Sequence, residues 1–102
     1  MSPYQELMSF QRETEALSQI AGRLGWDQET MMPVGAAGQR GEEMAAMESV
    51  MHARRTDPRI ADWMAACATE DLDPVAQAQL RHIRHQYQRK IKLLDHLLTL
   101  PI

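Results

Sequence analysis

A chain of 102 residues has room for one folded domain, and with 44% hydrophobic but only 5% aromatic residues its modest core must come mainly from Leu, Met, Ile and Ala. No apolar run approaches the ~20 residues of a membrane span and no basic leader precedes an apolar segment, so a soluble cytoplasmic protein without a membrane partner is expected. The single cysteine, Cys67, excludes an intrachain disulfide, and the net charge of -3 conceals an imbalance: carboxylates dominate up to Asp73 and cations dominate from Pro74 onwards.

The first helix opens at Ser2-Pro3-Tyr4-Gln5, where a capping serine, a proline at the first helical position and a glutamine at the third satisfy the orphan amide donors of a helix start. Leu7, Phe10, Thr14, Leu17, Ala21 and Leu24 then recur at alternating spacings of three and four, which draws one apolar stripe along a helix of roughly 33 Å. Gly25 is the natural terminator, with Trp26 and Asp27 extending the helix by at most a turn. Pro33 and the small residues after it predict a connection.

A second helix carries Ala37, Met44, Met47, Val50 and Met51 toward the core, opposed by Arg40, Glu43 and Arg54; Gly38 and Gly41 near its start suggest close backbone packing. Asp57-Pro58 and Asp73-Pro74 repeat one device, an aspartate cap followed by proline, and each opens another helix. The short third helix turns Ile60, Met64 and Cys67 inward with Trp63 at its edge, and Cys67 reads as a buried thiol. The long fourth helix repeats Ala76, Leu80, Ile83, Tyr87, Ile91, Leu94 and Leu98 at three or four, with Leu93 and Leu97 widening the apolar face. No alternating strand pattern or hairpin signal interrupts this series. The expected fold is all-α, one domain of about four amphipathic helices over residues 3–27, 36–55, 58–68 and 74–98, arranged as a bundle of antiparallel hairpins.

The chemistry-bearing residues are sparse. A zinc hydrolase helix would show His-Glu-x-x-His, with two imidazoles on one face beside a glutamate, and that pattern is absent. His82 and His85 share a face but lie among Arg81 and Arg84 without a carboxylate within a turn, so they read as surface residues rather than ligands. Glu13 with Glu15, and Glu42 with Glu43, are neighbours only in sequence, because helical residues one or two apart point in different directions. Gly35, Gly38 and Gly41 lack the strand, lysine and hydroxyl of a phosphate loop. Arg81, Arg84, Arg89, Lys90 and Lys92 would suit a nucleic acid, but only Tyr87 could stack a base beside them, so no nucleic-acid partner is expected.

The remaining outlier is Gly25-Trp26-Asp27-Gln28-Glu29-Thr30 followed by Met32-Pro33 and Gly35-Ala36-Ala37. Read locally, Asp27 caps onto the amides of Glu29 or Thr30, Trp26 buries its ring and Pro33 stops the helix. The same stretch resembles the N-terminal region of the carboxypeptidase Taq family of thermostable zinc metallocarboxypeptidases, and the similarity continues through Thr56-Asp57-Pro58 and Leu72-Asp73-Pro74 to Leu80-Arg81-His82-Ile83-Arg84 and Tyr87.

That resemblance implies a large helical enzyme, usually a homodimer, with a deep groove and a His-Glu-x-x-His centre holding zinc or another divalent metal. Its activity would be release of C-terminal amino acids from peptides. The family's ligands and general base lie downstream of the matched residues, so no catalytic or metal-binding residue is expected here, and neither a cofactor nor hydrolysis by this chain alone. Trp26, Asp27 and Thr30 become candidates for lining the groove or bracing the helix that lines it. The implied partners are a C-terminal catalytic region, peptide substrate in the whole enzyme, and a second copy meeting exposed apolar helix faces. The rival reading is a free-standing helical dimerisation or protein-interaction module built on the widened face of the fourth helix.

Overall fold

In the computed structural model, residues 1–30, 35 and 37–98 are described, the side chains of Gln28, Thr30, Ala37, Leu97 and Leu98 apart. The elements are α1 (Pro3–Thr30), α2 (Ala37–Arg55), α3 (Pro58–Cys67) and α4 (Pro74–Leu98). The class is all-α, as the periodicity predicts.

The starts of three helices follow from their caps. Ser2 N–H donates to Gln5 Oε1 at 3.0 Å while Gln5 N–H donates to Ser2 Oγ at 3.1 Å, the reciprocal pair of a capping box. Asp57 Oδ1 accepts from Arg59 N–H at 2.9 Å, and Asp73 Oδ1 accepts from Ala76 N–H at 2.8 Å. The end of α1 differs from the expectation. The helix does not stop at Gly25 or Asp27 but runs to Thr30, because Gly25 keeps helical geometry and the one positive-φ glycine is Gly35, at φ 93° in the turn before α2.

The chain divides into two compact units, one of Met1–Met8 with Arg55–Ile102 and one of Ser9–Arg54. In the first, α3 packs on α4, and the buried side chains are Leu7, Ile60, Met64, Cys67, Ala76, Leu80 and Ile83. Two side-chain bonds tie the first turns of α1 to this core: Tyr4 Oη donates to Gln79 Oε1, and Trp63 Nε1 donates to Glu6 Oε2 at 2.9 Å. Trp63 lies at the edge, half-buried, with the Arg59 guanidinium 5.5 Å from its ring.

In the second unit Phe10, Thr14 and Met51 are buried, while Leu17, Ala21, Leu24, Met44 and Met47 are half-buried. The expected faces of α2 need two corrections. Arg40 and Arg54 do not oppose the Met stripe; both are half-buried and reach α1, since residues 40, 44, 47, 51 and 54 fall on one helical row. Val50, expected inside, is 45% exposed. Nor do Gly38 and Gly41 mark close packing: a Cβ on either would meet nothing within 4 Å, whereas one on Gly25 would touch Met44 Cε at 3.9 Å.

Candidate functional site

The Trp26–Thr30 stretch forms the last turns of α1, so its polar groups extend a helix rather than interrupt one. Asp27 is not a cap. Its Oδ2 lies 2.7 Å from Arg40 Nη2, which ties the end of α1 to the first turn of α2. Arg40 Nη1 also donates to the Leu24 carbonyl at 3.4 Å, and its Nε lies 3.6 Å from Glu43 Oε2. The guanidinium is therefore shared between two carboxylates and a main-chain oxygen, with 17% of the side chain exposed against 37% for Asp27. A pair this open to water contributes at most about 1 kcal/mol; its effect is positional, fixing where the end of α1 lies beside α2.

Trp26 departs from its local reading as well. Its ring is not sealed in a core but 62% exposed, one residue before the braced aspartate. The Thr30 side chain lies outside the described residues. The structure thus joins Asp27 to Arg40 and leaves Trp26 presented beside them. Sequence reasoning missed Arg40, although its place on the row with Met44, Met47 and Met51 was a signal that it faces inward.

The other candidates do not gather into one site among the described residues. Glu13 pairs with Arg54 at 3.3 Å while Glu15 is exposed, and Glu43 turns to Arg40 while Glu42 is exposed. His82 and His85 stand on the exposed face of α4. Among the described residues no three His, Cys, Asp or Glu side chains come together as a set able to hold a metal ion. A metallopeptidase centre needs three protein donors around the ion, so these residues do not fit one. Cys67 is buried on α3, where burial first and the Glu70 carboxylate second push its thiol above the ordinary 9.0. Among the described residues, no helix is long and apolar enough to cross a membrane.

The family model of the carboxypeptidase Taq (M32) metallopeptidases matches residues 6–99, almost the whole described length. The chain belongs to the carboxypeptidase Taq family. It is also similar to thermostable carboxypeptidase 1 of Thermus thermophilus, at 39% identity over 90 residues, which cover 84% of this chain and 18% of that protein. The chain thus spans under a fifth of the length of this relative. Metallopeptidase membership is consistent with a divalent metal in a whole enzyme of the family, and the described residues supply no site for it.

Proposed function

We propose that these residues form the N-terminal, groove-building helical part of a zinc metallocarboxypeptidase that removes C-terminal amino acids from peptides. The four helices, as antiparallel hairpins of one bundle, would make a wall of the substrate groove, and the remainder of the enzyme would bring the zinc, its ligands and the general base. The observation that carries this reading is the family match over residues 6–99 combined with a tryptophan left 62% exposed beside a braced helix end. A large aromatic kept at a surface and held in place is what a groove that grips peptide side chains requires. In this reading Trp26 lines the groove, Asp27 braces it through Arg40, and Thr30 stands one turn further along the same segment.

By itself the chain would hydrolyse nothing, since peptide cleavage of this class needs a metal-activated water and no such centre is gathered among the described residues. Exposed Ile20 and Val50, and Leu93 on α4, would be covered in the whole enzyme or by a second copy. Leu93, 54% exposed, also favours the dimerisation-module reading over complete burial of the α4 face.

A chimaera tests the proposal: residues 6–99 replace the matching stretch of the Thermus thermophilus carboxypeptidase. The parent chimaera is expected to release C-terminal amino acids, and the 102-residue chain with added zinc to release none. Within the chimaera, Trp26→Ala should raise KM several-fold at unchanged Tm, and Asp27→Ala should raise KM and lower Tm slightly. Unchanged kinetics with a lowered Tm in both variants would reduce the segment to packing.

A further inference from the structure

α4 carries a face that nothing in the family reading uses. From Pro74 to Leu94 the sequence contains no Asp or Glu, in a chain that has 14 of them, yet it contains Arg81, Arg84, Arg89, Lys90 and Lys92. Solvated helix faces ordinarily mix signs, because oppositely charged pairs at three or four residues each add about 0.2–0.5 kcal/mol and like pairs cost a similar amount. Here Arg81, His85, Arg89 and Lys92 follow one another at four, four and three, so they stand in a single row about 16 Å long. That row lies opposite the buried Ala76, Leu80 and Ile83, and all four of its residues are exposed.

Three carboxylates of the same unit are engaged, and Asp95, exposed one turn beyond Lys92 on α4, makes no ion pair with it. Asp57 holds Arg59, Glu6 accepts from Trp63, and Asp73 caps α4. Among the described residues none pairs with Arg81, His85, Arg89 or Lys92. The helix dipole favours cations only within the last turn, so it does not account for Arg81 or Arg89. A row of like charges with no paired carboxylate among the described residues is complementary to acid from elsewhere.

We propose that this row docks an acidic helical face of another polypeptide, one with Glu or Asp at successive turns. The one-turn spacing of the cations matches carboxylates at three- or four-residue intervals on a helix lying alongside. Nucleic acid suits the row less well. Tyr87 is half-buried on the opposite, core-facing side, so no aromatic ring stands beside the cations to stack a base.

The test is fluorescence anisotropy of the 102-residue chain with a labelled Glu-rich helical peptide carrying carboxylates at every fourth position, and with a thymidine oligonucleotide of equal charge. Binding of the peptide is expected, weakening about tenfold or more between about 20 and 200 mM salt. Reversal in Arg81→Glu/Arg89→Glu/Lys92→Glu should abolish that binding and create affinity for the Lys-rich counterpart peptide. These positions are exposed, so helicity by circular dichroism should persist; should it not, Arg89→Gln/Lys92→Gln must still weaken binding several-fold. No peptide binding at low salt, equal or tighter binding of the oligonucleotide, or indifference to the substitutions would overturn the assignment.

Discussion

Arg54 illustrates how much a single side chain can organise. Its Nη2 donates to the Phe10 carbonyl at 2.9 Å and reaches Glu13 at 3.3 Å, its Nε donates to Thr14 Oγ1 at 2.9 Å, and its Cζ lies 4.0 Å over the Phe10 ring. Thr14, buried in an otherwise apolar stripe, is satisfied because its hydroxyl both accepts from Arg54 and donates to the Phe10 carbonyl at 3.1 Å. Cys67 shows the same economy in a different currency of charge. A buried acid whose folded pKa is raised binds its proton more tightly than the unfolded chain does. Its contribution is therefore fully present below the ordinary 9.0 and is lost as pH climbs above that value. The expected result is a Tm that falls with rising pH above 9.0 in the parent and falls less in Cys67→Ala, read by thermal melts across that range. An identical alkaline slope in both proteins would remove Cys67 from the explanation.

At the scale of elements, the helix starts were legible because capping is local chemistry: an Asp, the Pro after it and the two amides beyond decide the outcome within four residues. Asp73 is the clearest instance, since it accepts at 2.8 Å from Ala76 and opens a 25-residue helix. Asp73→Ala should lower stability by about 0.5–2 kcal/mol while Asp73→Ser recovers most of it, measured by urea denaturation. The end of α1 lies beyond the expected terminator for the converse reason. Gly25 is a terminator only if the chain adopts left-handed geometry there, and the brace between Asp27 and Arg40 accompanies continuation of the helix instead.

For the molecule as a whole, the matched length matters more than any one contact. The chain spans 18% of its relative, and Ile20, Trp26 and Val50 are exposed in one unit and Val75 and Leu93 in the other. Apolar surface of this kind should drive association at high concentration. Sedimentation velocity is expected to show a concentration-dependent rise in average mass, and a single monomeric boundary at every concentration would contradict it.

The sequence by itself determined the class, the starts of α1, α3 and α4, the faces of α1 and α3, the burial of Cys67 and the family, because caps, 3.6-residue periodicity and a Trp-Asp-Gln-Glu-Thr signature are all written in short spans. On α4 Leu93, expected in the apolar face, is exposed, and the side chains of Leu97 and Leu98 lie outside the described residues. Only the tertiary structure decided that Trp26 stays exposed, that Asp27 braces rather than caps, and that Arg40 and Arg54 turn inward to reach α1. Those outcomes depend on partners that lie 13 to 44 residues away along the chain, across a connection whose geometry no local pattern encodes.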